Sequence, residues 1–250
     1  MHLDRPIDLC NYALQENEVH IWRTGLDIAQ SDLVELRQVL SPHEQERVDR
    51  FHFEADRRRC AIGRGTLRLL LGAVLKQPAS KLQFEYDDFG KPHLIQGKGS
   101  RLRFNVSHSG GLILLAITIG RMIGVDVEMV RTDLDLGGIA ARFFSVNEYT
   151  SWASLADDVK HEAFFACWTR KEAYLKARGA GLSMATGQFD VSFLSGEAPQ
   201  LLETRPDPDD VLRWSLRAPR PEPGYAAALA VEGSGWTLKC LDFQHGAVWE

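Results

Sequence analysis

The sequence predicts an α+β fold made of two similar halves. Each half is a helix packed on a small, largely antiparallel sheet. Three observations predict it. Segments at about 55–75 and 160–177 place apolar residues at helical spacing. Each is followed by short apolar or aromatic runs bounded by Gly, Asp and Pro, which read as antiparallel strands. At 250 residues, 44% hydrophobic and 25% charged, the chain can bury one large core or two small ones sharing an interface. Element order, and no internal sequence identity, carries the repeat.

Taken in order, 19–28 reads as a strand and a short connection. Ser41-Pro42 opens a helix, with Ser as N-cap, Pro at the first position and Glu44 in the first turn. The helix at 55–75 carries Ala61, Ile62, Leu69, Leu70 and Val74 on its apolar face. Phe84–Tyr86 begins a strand, Asp87-Asp88-Phe89-Gly90 is a turn, and Arg103–Val106 is a short strand. Leu112–Ile119 and Met122–Glu128 read as an antiparallel pair joined around Gly120-Arg121. The helix at 160–177 ends at Gly179 in the Gly179–Ser183 segment. Strands follow at Phe189–Phe193, Trp214–Arg217, Tyr225–Val231 and Trp236–Asp242, the last two mirroring the earlier pair through Glu232-Gly233-Ser234-Gly235. Pro-rich 205–210 and 219–223 read as surface loops. The halves divide as 1–121 and 122–250.

A net charge of -5 argues against general nucleic-acid binding, although local basic patches remain open. Cys10, Cys60, Cys167 and Cys240 are scattered with no CxxC pair, as in reduced thiols. The opening MHLDRPIDLC has no apolar core, and the longest apolar run, Leu112–Ile119, is too short to cross a bilayer. A cytoplasmic protein with neither nucleic-acid nor membrane partners is expected.

The chemistry concentrates in two short segments. In GVDVE, Val125 and Val127 alternate with Asp126 and Glu128, so both carboxylates share one strand face. In WTRKEAYLK, Lys176 lies one turn after Glu172 on the same helix side. Taken alone, the first reads rather as a solvated strand face and the second as a surface ion pair. If strand and helix pack together, three carboxylates and an ammonium share one cleft. Such a cluster repels itself, and Mg2+ on a pyrophosphate is a natural counter-charge, as in phosphoryl transfer.

Other segments keep company with these. FNVSHSGG places Ser107, His108 and Ser109 at a strand end before two glycines, a turn able to offer N–H, hydroxyl and imidazole groups to phosphate. Ser107 and His108, adjacent on extended backbone, point to opposite faces and do not form a nucleophile pair. Seven arginines stand between Arg47 and Arg68 against three acidic residues; most are solvated face, and one or two are candidates for holding an anion. Lys91-Pro92 puts a cation on a stiff loop. Trp168, Phe143, Phe144 and Tyr149 read as core.

In sequence, KPH, FNVSHSGG, GVDVE, RFFSVNEY and WTRKEAYLKARGAGLS closely resemble the 4′-phosphopantetheinyl transferases of the surfactin-synthetase-activating type, over roughly 41–185. The resemblance implies two halves related as a pseudo-two-fold within one monomer, with coenzyme A and the active site in the cleft between them. It implies that Asp126, Glu128 and Glu172 hold Mg2+ with the coenzyme pyrophosphate, and that Lys176 lies near the bridging oxygen. Ser107 and His108 would contact phosphates, with Arg59 and Lys91 near the adenosine 3′-phosphate and Arg47 in the basic rim. Glu44 stands where some members carry a basic residue, and Cys60 where some carry threonine; members also vary at Glu128. The implied reaction moves phosphopantetheine from coenzyme A to a serine of an apo acyl or peptidyl carrier protein. Glu172 would be the base and Lys176 the stabiliser of the leaving 3′,5′-ADP, while Met129–Phe144 would add apolar contacts to the carrier. Two rival readings are a Mg2+-dependent pyrophosphate hydrolase and a silent module that binds coenzyme A or a carrier.

Overall fold

A computed structural model describes residues 9–86, 92–95, 101–179, 185–244 and 248–249. The first half runs β1 (Glu18–Gly25), α1 (Gln30–Gln38), α2 (Pro42–Arg50), α3 (Glu54–Leu75), β2 (Phe84–Tyr86), β3 (Pro92–Leu94), β4 (Leu102–Ser109) and β5 (Leu112–Ile119). The second runs β6 (Ile123–Met129), α4 (Leu136–Phe143), α5 (Val146–Ala153), α6 (Asp157–Arg178), β7 (Phe189–Val191), β8 (Leu201–Thr204), α7 (Asp210–Arg213), β9 (Trp214–Arg217) and β10 (Tyr225–Glu232). A last strand, β11 (Thr237–Asp242), follows. Apart from α7 and β11, the two lists match element for element.

The pairings repeat as well. β1 pairs antiparallel with β5, and β5 with β4; likewise β6 pairs antiparallel with β10, and β10 with β9. Each half adds a small hairpin, β2–β3 or β7–β8. The fold is α+β, as expected.

The repeat has a chemical signature. Ser41 caps α2, receiving Glu44 N–H at 3.3 Å while the Glu44 carboxylate takes Ser41 N–H at 2.9 Å. The same carboxylate accepts from Arg68 of α3 at 2.6 Å. In the second half Ser145 caps α5, Glu148 closes the box at 2.8 Å, and Lys171 of α6 donates to Glu148 at 2.6 Å. All four charged side chains are buried. A buried ion pair is tolerated only where the remaining lone pairs are also met. Tyr86 O–H serves Glu44 and Val191 N–H serves Glu148. Burial alone would raise the Glu44 carboxyl; Ser41 N–H, the Arg68 guanidinium and Tyr86 O–H outweigh it and hold it below the usual range.

The core lies in three layers. Trp22, Ile113, Leu115 and Ile117 pack against Ile62, Leu70 and Leu71 of α3. Val19, Ile21, Leu112 and Leu114 pack against Val125, Val127, Leu229 and Val231. Ala228 and Ala230 pack against Ala173, Tyr174 and Ala177 of α6. Each fully buried large aliphatic residue stabilises the fold by about 1.5–3 kcal/mol.

Two expected hairpins are not formed. β5 does not pair with β6: both its edges are taken, by β1 and by β4, and β6 belongs to the other sheet. β5 is apolar but for Thr118 and buried along nearly its whole length, which favours a central position with two partners. β11 does not pair with β10 either; it returns to pair parallel with β1, from Glu18↔Thr237 to Arg23↔Asp242. The last strand thus crosses the division at 121. Further differences are local. β4 extends to Ser109, so Ser107 and His108 lie within the strand and only Gly110, at φ 52°, begins the turn. Phe144 is buried as expected, but Tyr149 is 38% exposed, on the outer side of α5. The turn expected at 87–90 lies outside the described residues.

Candidate active site

β6 and α6 meet at Gly124. A Cβ there would lie 2.1 Å from Ala173 O and 2.3 Å from Ala177 N, so the helix backbone rests directly on the strand. Glu172 and Lys176 flank that contact, and Asp126 and Glu128 follow Gly124 at the strand's period of two. The strand's other face, Val125 and Val127, is fully buried in the core between the sheets. The expected union of the two acidic segments is formed.

The third wall comes from the first half. β4 lies beside β6, and its alternate side chains accept from the β6 backbone: Asn105 Oδ1 from Val125 N at 2.9 Å, Ser107 Oγ from Val127 N at 3.4 Å and Ser109 Oγ from Met129 N at 3.1 Å. Two sheets are thereby joined edge to edge by side chains in place of a backbone ladder. The β4–β5 turn is fixed from the second half, where Tyr225 O–H accepts from Gly111 N at 3.0 Å. A Cβ on Gly110 would come within 2.6 Å of that hydroxyl, which accounts for the glycine.

Lys176 Nζ donates to Asp126 Oδ1 at 2.6 Å and to Ser107 Oγ at 2.9 Å, and Ser107 O–H donates to the same carboxylate oxygen at 2.8 Å. Asp126 Oδ2 is buried with no hydrogen-bond partner. Ser109 O–H donates to Glu128 Oε2 at 2.6 Å, and the Trp168 indole N–H also serves Glu128. Burial raises the Asp126 carboxyl against the pull of Lys176. Burial likewise raises Glu128, and the Asp126 charge adds to it. Glu172 is raised by burial first, then by Asp126 and Glu128. The three acids therefore lie close enough to repel one another, with a single ammonium among them.

Among the described residues no three His, Cys, Asp or Glu side chains are gathered at metal-ligand spacing. The donor set nevertheless fits a hard divalent cation: three mutually repelling carboxylates, one holding an orphaned buried oxygen.

The remaining expected residues are dispersed. His108 stands on the opposite face of β4 from Ser107, exposed to solvent. Neighbouring protein desolvates it in part and lowers its imidazolium, and the Arg59 and Lys176 cations add to this. Arg59 pairs with Asp56 at 2.6 Å and reaches Gly110 O at 3.4 Å, at the same turn. Arg47 lies instead over the Tyr86 ring, 5.9 Å from its centroid, with Arg64 at 5.0 Å from the same ring. Lys91 lies outside the described residues. Sequence reasoning passed over Ser109 as a carboxylate partner and took Trp168 for core alone. Trp168 does stack on Phe164, 6.1 Å between centroids, but it also serves Glu128. Its place four residues before Glu172 and eight before Lys176, on one helix stripe, was a readable signal.

Comparisons with known proteins identify the family. Residues 122–230 match the profile of the 4′-phosphopantetheinyl transferase superfamily, and 27–119 match that of the 4′-phosphopantetheinyl transferase N-terminal region. The chain is 41% identical over 230 residues to the 4′-phosphopantetheinyl transferase HetI of a Nostoc species, covering 92% of this chain and 94% of that one. It is 27% identical over 202 residues to the 4′-phosphopantetheinyl transferase Sfp of Bacillus subtilis, covering 81% and 86%. Among solved structures it is similar to a holo-(acyl-carrier-protein) synthase from Bacillus anthracis in complex with CoA (3′,5′-ADP). That likeness has 23% identity, covers 45% of this chain and 96% of that one, and has a TM-score of 0.36. The chain belongs to the 4′-phosphopantetheinyl transferase family and is an enzyme of this class.

Proposed function

We propose that the chain moves the phosphopantetheine group of coenzyme A to a serine hydroxyl of an apo acyl or peptidyl carrier protein. The serine oxygen bonds to the pantetheine-side phosphorus, and the bond from that phosphorus to the bridging oxygen breaks, releasing 3′,5′-ADP. The observation that carries the reading is the orphaned Asp126 Oδ2 among three repelling acids. A divalent cation, Mg2+ by chemical preference, held there by Asp126, Glu128 and Glu172 would neutralise the pyrophosphate and draw charge toward the leaving group.

Glu172 takes the serine proton. Burial and the neighbouring acids make its carboxyl more basic than an ordinary one, which suits that role. Lys176, already paired to Asp126 at 2.6 Å, stabilises charge on the departing ADP. Ser107 beside it and His108 on the other face of β4 would contact phosphates, with Arg59 and Lys91 near the adenosine 3′-phosphate and Arg47 in the basic rim. Both halves supply residues to the cleft, which supports a monomer as the working unit. The carrier docks beside it, where Met129 is 39% exposed at the start of the 129–144 stretch. The free thiols of Cys60 and Cys167 support a reducing, cytoplasmic setting.

The test is the intact mass of an apo carrier protein after incubation with the enzyme, coenzyme A and Mg2+, beside an EDTA control. A gain of one phosphopantetheinyl group, absent with EDTA, is expected. ADP release without carrier modification would instead assign a hydrolase.

A further inference from the structure

Ser107 and Ser109 repeat one arrangement two residues apart. Each hydroxyl accepts from a β6 N–H (Val127, Met129) and donates to the carboxylate of the preceding residue (Asp126, Glu128). Asn105, the first rung, bonds only the Val125 N–H, where the neighbouring β6 residue is Gly124. A hydroxyl has one proton to give, so a serine tied to the strand N–H has its O–H directed at the acid beside it. Lys176 also bonds Ser107 and Asp126, so orientation at that rung is shared. At the next rung Ser109 acts across the junction of the halves, and Trp168 approaches the same carboxylate from α6. Glu128 is half-buried and next to the open end of β6, so it depends on such partners for its direction.

We propose that Ser109 is a positioning residue: from the first half of the chain it aims the Glu128 carboxylate into the cation site of the second. The proposal rests on the reading of Asp126, Glu128 and Glu172 as cation ligands. Groups that orient a metal-binding carboxylate typically change affinity by about 10- to 100-fold when removed. Loss of the Ser109 hydroxyl therefore weakens cation binding within that range, whereas a hydroxyl that only braced β4 against β6 would leave it unchanged.

The experiment titrates Mg2+ into the enzyme with coenzyme A and no carrier, by calorimetry, for the wild type, Ser109→Ala and Ser109→Thr. Melting curves by circular dichroism accompany it, and all titrations run well below the lowest melting temperature. Expected is weaker binding for Ser109→Ala by about 10-fold or more, with recovery in Ser109→Thr, which keeps the hydroxyl. In turnover, Ser109→Ala then shows a raised Mg2+ requirement with kcat largely restored at saturating Mg2+. Unchanged affinity in folded Ser109→Ala, with wild-type binding intact, overturns the positioning role alone. No binding by the wild type overturns the cation site itself. Should Ser109→Ala not fold, Ser109→Cys supplies the comparison, because a thiol fills the space but is a weak donor. Wild-type affinity in that variant overturns the role equally.

Discussion

At the scale of single residues, the site depends on one missing side chain as much as on the acids present. Gly124 lets α6 approach β6 until backbone nearly touches backbone, and that approach sets Lys176 2.6 Å from Asp126. Gly124→Ala forces helix and strand apart, since both obstructing atoms belong to the main chain. Overpacking of this kind costs about 1–3 kcal/mol. A displacement of 1 Å at a reacting geometry costs about 100-fold in rate. The carrier-modification assay and urea unfolding check both; transfer near the wild-type rate would show that this contact does not set the cleft. Asp126, Glu128, Glu172 and Lys176 were legible in the sequence because strand alternation and the helical turn fix which side chains share a face. Ser109 as a carboxylate partner was not, because strands 20 residues apart in register meet only in the folded chain. Gly124 stood in the quoted motif, yet nothing local shows that a helix lies on it.

Among elements, each half hangs its long helix on a buried acid from the capped helix before it. Lys171→Met leaves the Glu148 carboxylate buried without its cation, an expected loss of about 3–5 kcal/mol. Adding Glu148→Gln should recover part of that loss, because the unpaired charge is then gone. Equilibrium unfolding of both variants measures it, and an additive pair would mean the two side chains act separately. The capping box at Ser41 was half legible: Ser, Pro and Glu44 announce a helix start, but the Arg68 partner lies 24 residues on, in another helix. The long helices were read to within three residues because their apolar periodicity is sustained. The hairpin expectations failed where adjacent strands with a glycine turn between them looked like partners. Pairing was decided by which edges the neighbouring strands left free, a property of the whole sheet.

For the whole molecule, β1 and β11 meet around a buried histidine. His20 on β1 bonds Tyr12 O–H at 2.8 Å and Glu18 at 3.0 Å, while Lys239 of β11 bonds Glu18. Burial lowers the His20 imidazolium, and the Lys239 charge adds to this, against the opposing pull of Glu18. A histidine so depressed contributes stability that is full above its ordinary value of 6.5 and is lost as pH falls through the lower folded value. The urea midpoint should therefore drop between pH 7.5 and 5.5, and drop less in His20→Gln; equal slopes would remove His20 from the acid response. The pairing of β11 with β1 has a consequence during synthesis. A ribosome releases β1 well before β11, so the outer edge of β1 stays open until residues 237–242 have emerged. Until then the nascent first half is an incomplete sheet with a bare edge available to other chains, and a premature stop before residue 237 strands it there. The first sheet thus closes only once β11, far along the chain from β1, has been made.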